Sequence, residues 1–304
     1  MGACNRVSVL VLFRMIVQSL NQVQSNWERL RQEGDFSVSA YTAKPALVVI
    51  PTYNEAMNIG PMLQAIQGHA PEVHILVVDD NSQDGTAEEV KAQQRAAPDR
   101  IFLLQRAGKL GLGTAYIAGF TWGLDRGYQA LLEIDADFSH DPREIPALLH
   151  KLLTRDVVIG SRYILGGGTE NWHPMRKLIS KAGSLYARSI LGMTIRDLTG
   201  GYNAWRADVL RTIDLMSIRS EGYSFQIELK YRAFLAGYSL NEHPILFSER
   251  REGQSKMSGR IIWEAFFRVW GLRFRHRASN ARLAKAPEDL AQEHVYSVAK
   301  AGLD

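Results

Sequence analysis

Cysteine is almost absent: Cys4 is the only one in 304 residues. A lone thiol forms no internal disulfide framework, which fits a reducing compartment and leaves an apolar core to hold the fold. Long hydrophobic runs are missing too. No stretch reaches the roughly 18–20 apolar residues that span a bilayer; the nearest, Val7 to Val17, is short and carries Arg14. With Arg6 before it this segment has the look of a secretory leader, yet residues 19–31 offer no small-residue cleavage site. Arg6 also stands where a myristoylation signal starting at Gly2 needs Ser or Thr. Residues 1–44 therefore read as an extension outside the fold, either a mis-assigned start or a surface helix. The third absence is a strong charge of one sign. The formal net charge is +4, which argues against a general nucleic-acid binder. The positive charge gathers instead at Arg268, Arg273, Arg275, Arg277, Arg282 and Lys285, a local surface for an anionic partner.

What remains is an ordinary globular composition, 46% hydrophobic and 22% charged, in a chain long enough for one large or two small domains. From Pro45 onward short apolar runs alternate with amphipathic stretches. Strands are expected at Ala46 to Ile50 (stopped by Pro51), His74 to Val78, Ile101 to Leu104, Ala130 to Ile134 and Val157 to Ile159. Helices are expected at Asn58 to Ile66, Thr86 to Arg95, Gly111 to Leu124 and Arg143 to Leu153. This alternation implies an α/β fold with a mostly parallel sheet covered on both faces. Ligands of such sheets bind beyond the carboxyl ends of the strands.

Those ends are where the ionisable residues lie. L-L-E-I-D-A-D-F-S-H, Leu131 to His140, ends an apolar run in Asp135 and Asp137. The two share one side if the strand continues through them. Paired carboxylates suit Mg²⁺ or Mn²⁺, which takes one or two of them and completes its shell with water and substrate phosphate. A solvated acidic turn has the same pattern. P-T-Y-N-E offers the face of Tyr53 to a base and the carboxylate of Glu55 to a base edge or ribose, or it is a turn with an incidental aromatic. In V-D-D-N-S-Q-D-G-T, Asp80 suits ribose hydroxyls, whereas Asp84 before Gly85 and Thr86 reads as a helix start.

Gly108, Gly111 and Gly113 around Lys109 lack the order of a P-loop and read as a tight entry to the next helix. In G-S-R-Y the planar fork of Arg162 suits a phosphate, and Gly166 to Gly168 form a closing loop or a plain turn. Arg176 and Ser180 lie four apart on one helical face, a second phosphate grip or a solvated basic face. Gln226 and Glu228 either line a sugar site or occupy the polar side of an aromatic helix. Arg250 and Lys256 lie in an apolar-poor loop that is a lid or a solvated connection.

These motifs, in this order from about Ala46 to Gly259, resemble glycosyltransferase family 2 enzymes of GT-A fold, and among them the dolichol- or polyprenol-phosphate mannosyltransferases. The resemblance implies inverting transfer of mannose from GDP-mannose to a polyprenyl or dolichyl phosphate. It implies that Pro51, Tyr53, Glu55, Val78 and Asp80 contact the nucleotide. Asp135, Ala136 and Asp137 would bind nucleotide and metal, with Ser139 where some relatives carry a Gln ligand. Arg162, Arg250 and Lys256 would meet the donor phosphates, with Asp137, Arg162 and Lys256 as the catalytic set. Arg176 and Ser180 would hold the lipid phosphate. Gly200 departs from the Ser of many relatives. The domain would span 45–258, followed by an amphipathic helix at 259–277 and a polar tail at 278–304.

Within that helix Trp263, Phe266, Phe267, Trp270 and Phe274 share a face suited to a membrane surface, or to packing on the core. With no multi-helix membrane domain after Gly259, the chain resembles a soluble catalytic subunit, peripheral to the membrane on the cytoplasmic side, with a membrane-anchoring protein as partner. A related transferase using another donor such as UDP-glucose, or a nucleotide-binding protein without turnover, would carry many of the same motifs.

Overall fold

The computed structural model describes residues 42–248 and 268–274. The expectations placed on residues 1–41, on Arg250 and Lys256, on Trp263, Phe266 and Phe267, and on the tail lie outside those residues. In chain order the elements are β1 (Ala46–Thr52), α1 (Ala56–His69), β2 (His74–Asp79), α2 (Thr86–Ala96), β3 (Ile101–Gln105), α3 (Leu112–Asp125), β4 (Ala130–Glu133), α4 (Ile145–Leu152), β5 (Val157–Ser161) and β6 (Gly168–Thr169). They continue with α5 (Pro174–Leu191), β7 (Asn203–Arg206), α6 (Ala207–Thr212), α7 (Gly222–Leu235), β8 (Leu240–Pro244) and β9 (Leu246–Phe247).

Seven strands form one sheet in the order β3-β2-β1-β4-β7-β5-β8. All neighbours are parallel except β7, which runs antiparallel to both β4 and β5. The carboxyl ends of β1, β2, β4 and β5 therefore share one edge. Leu47, Val48, Val49 and Ile50 are all fully buried, so β1 is covered on both faces, as a central parallel strand requires. Each such side chain contributes roughly 1.5–3 kcal/mol.

One local expectation changes. Pro51 does not stop β1, which runs on to Thr52. The Val49 carbonyl faces β4 and the Thr52 carbonyl faces β2, so the missing amide of Pro51 falls on the β4 side, beyond Glu133 where that pairing ends. Two glycines of α3 let it approach the sheet closely. A Cβ at Gly119 would collide with Val49, and one at Gly123 would come within 2.8 Å of Leu47 and Leu131. Residues 268–274 are helical, with Val269 and Leu272 buried and Trp270 and Phe274 exposed.

Candidate active site

The turn after β2 is rigid because its acids hold backbone amides. Asp79 accepts from Thr52 Oγ1 at 2.9 Å and from the Ser82 amide at 3.0 Å, tying the ends of β1 and β2 together. Asp84 accepts from the Thr86 amide at 3.1 Å and from the Ala56 amide at 3.0 Å, so it starts two helices. Glu55 lies beside this turn, its amide on Thr86 Oγ1 and its carboxylate on Asn58. The remaining acid is Asp80. Its carboxylate accepts from Arg106 Nε at 2.6 Å and from the Leu110 amide at 3.0 Å. Arg106 also donates to the Gly111 carbonyl and Thr114 Oγ1, so the pair shapes the glycine loop that opens α3 at Gly111. That loop brings Lys109 Nζ to 4.0 Å from the centre of the Tyr53 ring. Arg106 escapes a motif search, although it follows β3 as the other polar groups follow their strands.

The acidic motif is not on a strand. β4 ends at Glu133, and Asp135 and Asp137 lie on the following loop, where Phe138 takes a φ of 60°. Asp135, 30% exposed, accepts from the Tyr116 hydroxyl at 3.2 Å. Burial, then the charges of Asp135 and Glu133, hold that phenol well above its ordinary pKa, so it stays a donor. Asp137 is buried and accepts from the Ser139 amide at 3.0 Å. His140 packs between Tyr202 and Phe247, each ring centre 5.0 Å away, a brace for the loop.

The oxygen donors fit a hard divalent cation. The Ser139 hydroxyl is buried and has no hydrogen-bond partner among the described residues, and with Asp135 and Asp137 it makes an all-oxygen set. Among the described residues no cluster of three or more His, Cys, Asp or Glu forms a complete cage. An open set of this kind suits Mg²⁺ or Mn²⁺ finished by water and phosphate.

Behind the loop lies a charge cluster that no motif announces. Glu133 is fully buried and accepts from Trp205 Nε1 at 2.6 Å, from Asn203 and from Gln226. Burial lifts its carboxyl to about 7, against hydrogen bonds from Gln226, Trp205 and Asn203 and the charge of Lys230. An acid inside the apolar run L-L-E-I was the available signal, because a buried strand position obliges its carboxylate to find partners. Gln226 is therefore a core residue, and so is Glu228, buried against Ser220 and Arg232. Neither lines an open sugar site.

Arg162 is also occupied differently from the phosphate contact expected of it. Buried at the end of β5, its fork takes both oxygens of Asp197 at 2.7 Å, and Nη2 also reaches Thr199 at 2.9 Å. The guanidinium lies among Tyr163, Trp172 and Phe247. Tyr163 donates to Ser180 Oγ at 2.7 Å, and Arg176 lies 4.1 Å over the Trp172 ring. Arg176 and Ser180 are thus drawn to the G-S-R-Y side of α5. At Gly200 a Cβ would stand 3.2 Å from the Gly160 carbonyl, so a serine there needs its neighbour to give slightly. Pro51 and Val78 are register partners on β1 and β2, and Ala136 is buried between the two acids.

The family model described as Glycosyl transferase family 2 matches residues 47–214. The polyprenol monophosphomannose synthase of Mycolicibacterium smegmatis is 47% identical over 251 residues, 82% of this chain and 95% of that protein. The undecaprenyl-phosphate mannosyltransferase of Micrococcus luteus is 50% identical over 240 residues, 78% of this chain and 98% of that one. Among solved structures, glucosyl-3-phosphoglycerate synthase from Mycobacterium tuberculosis, in complex with Mn²⁺, UDP-glucose and phosphoglyceric acid, superposes with a TM-score of 0.54 at 17% identity, over 77% of this chain and 81% of that one. At that identity the likeness establishes the fold, a GT-A-type sheet flanked by helices.

Proposed function

The chain belongs to glycosyl transferase family 2, and from that premise we propose that it transfers mannose from GDP-mannose to a polyprenyl phosphate, with inversion at the anomeric carbon. One observation carries the reading: a single sheet edge assembles Tyr53 and Glu55, Asp80, the Asp135–Asp137 loop and the G-S-R-Y turn. The two mannosyltransferases that match nearly over their full length supply the sugar and the lipid class.

In this reading Tyr53, backed by Lys109, offers a face to the guanine, and Pro51 and Val78 border it. Glu55 and Asp80, the latter fixed by Arg106, accept from base or ribose. Asp135, Asp137 and Ser139 would hold Mg²⁺ or Mn²⁺ beside Ala136, and that ion when bound neutralises charge developing on the diphosphate. Arg250 and Lys256 are assigned to the same phosphates, on the family resemblance. Arg162 acts through Asp197 and Tyr163, bracing the wall on which Arg176 and Ser180 receive the acceptor. A phosphate acceptor is already anionic at neutral pH, so orientation rather than a general base is what the chain must provide.

Transfer of radiolabel to a short polyprenyl phosphate tests this. We expect mannolipid from GDP-mannose, its loss in EDTA and its return with Mg²⁺ or Mn²⁺. Equal transfer from UDP-glucose would overturn the donor assignment, and transfer that survives EDTA would remove the metal.

A lipid acceptor calls for contact with the bilayer, and no described helix is long and apolar enough to cross one. α5 supports a peripheral contact. Met175, Leu178, Ile179 and Leu185 form one exposed stripe, with Leu178 63% exposed, while Ser184, Ala187 and Leu191 face the core. The helix carries Arg176, Lys177, Lys181 and Arg188 and no acid, the pattern of an interfacial helix on anionic lipid. Trp270 and Phe274 stack with centres 5.8 Å apart, and Arg273 reaches the Leu191 carbonyl at 3.4 Å. One face of 268–274 thus packs inward while the other adds aromatics near the end of α5. Leu178→Glu with Trp270→Glu should cut flotation on anionic vesicles roughly tenfold and leave GDP binding unchanged. Unaltered flotation would dismiss this surface.

A further inference from the structure

The mechanism above gives Lys230 no part, yet this lysine on α7 is fully buried, a costly place for an ammonium unless its hydrogens are engaged. Its Nζ donates to the Gly200 carbonyl at 2.6 Å and the Leu198 carbonyl at 3.2 Å. Burial lowers its pKa to about 8 against the pull of Asp197 and Glu133, so at neutral pH these bonds are charge-assisted.

The segment it grips, residues 197–202, is anchored from every side. The Arg196 and Asp197 amides donate to Glu242 on β8 at 3.0 and 3.1 Å. The Asp197 carboxylate holds Arg162 at the end of β5 and takes the Gly200 amide at 3.0 Å. Asn203 Nδ2 donates to the Gly200 carbonyl at 3.2 Å.

From this fixed base two side chains reach two different elements. The Tyr202 hydroxyl donates to the Asp141 carbonyl at 2.9 Å, and its ring lies against His140, behind the acidic loop. Thr199 Oγ1 meets Ser184 Oγ at 3.3 Å on α5, the helix that carries Arg176 and Ser180.

We propose that Lys230 is a positioning residue: by clamping the Leu198 and Gly200 carbonyls it fixes the separation between the acidic loop, which holds the donor diphosphate, and the α5 wall, which receives the acceptor phosphate. The inference rests on the functional reading above and assigns that site a residue outside its binding shell. An in-line displacement needs the two phosphates at a set distance, and an error of about 1 Å costs on the order of a hundredfold.

The test is Lys230→Met against wild type, with GDP-mannose and a short polyprenyl phosphate. kcat should fall roughly 10- to 100-fold and the KM for polyprenyl phosphate should rise. GDP affinity by calorimetry should stay within about twofold, because Tyr53, Glu55 and Asp80 lie just beyond the ends of β1 and β2, away from the segment. A general loosening would lower GDP affinity together with turnover and would overturn the proposal. Tyr202→Phe removes only the bond to Asp141 and leaves no buried charge; it should show the same split in weaker form, and it decides the matter if Lys230→Met does not fold. Unchanged kcat and acceptor KM in either folded variant overturn the positioning role alone, provided wild type is active. A wild type that transfers nothing from GDP-mannose defeats the functional reading and the positioning role with it.

Discussion

Asp137→Ala is expected to abolish sugar transfer, with kcat at least about three orders of magnitude below wild type, or ~4 kcal/mol of transition-state stabilisation. Asp137 is buried where the acidic loop turns inward, and one oxygen is occupied by the Ser139 amide. Substitution by alanine removes both the charge and that loop contact. Asp137→Asn separates them, since an amide oxygen still accepts from Ser139 while the charge is gone. We expect both variants to fail in the radiolabel assay and only the alanine variant to loosen the loop. An asparagine variant within tenfold of wild type would mean that loop shape, not charge, is what Asp137 provides.

The second large effect is on stability. Arg162→Met should cost about 3–5 kcal/mol, because it strands the buried Asp197 carboxylate without its fork. For a domain of this size that lowers Tm by on the order of 10 °C. The pH dependence identifies the cause. Burial alone would raise the Asp197 pKa; the charge and hydrogen bonds of Arg162, with help from Lys230, hold it below the ordinary value. A carboxyl depressed in the folded state stabilises above the unfolded value, about 4, and that contribution is lost as pH falls through the folded one. In Arg162→Met burial prevails and the carboxyl moves up, so the variant gains relative stability as pH falls from neutrality towards about 4. Urea melts should show the gap narrowing across that range. A constant gap would rule out the buried ion pair as its source, and Arg162→Met with Asp197→Leu should recover most of the loss.

The strands were legible because buried parallel strands demand unbroken apolar runs, and Ala46 to Ile50 or His74 to Val78 admit little else. Their ends were legible to within one or two residues. What sequence did not give was partnership across distance. Arg162 was read for its fork, but nothing local indicates that Asp197, thirty-five positions later, already fills it. Asp84 reads as a helix start and caps two helices, whereas Arg106, which holds Asp80, carries no signal because a cation after β3 belongs to no motif. Alternation puts Asp135 and Asp137 on one side only if the strand continues through them, whereas β4 ends at Glu133 and Tyr116 and His140 support a loop instead. The short run N-A-W-R does not look like a strand on its own. It becomes β7 alongside β4, where Trp205 and Asn203 donate to the buried Glu133 carboxylate.

That reversed strand divides the sheet into two territories. The strands that lead to the proposed nucleotide contacts lie on one side of it, and β5, which leads into the proposed acceptor wall, lies on the other, with no direct pairing between β4 and β5. On the proposed assignment, this seam falls between the nucleotide contacts and the acceptor contacts. It also marks where chimaeras should be joined when a new acceptor is to be grafted onto an existing donor specificity.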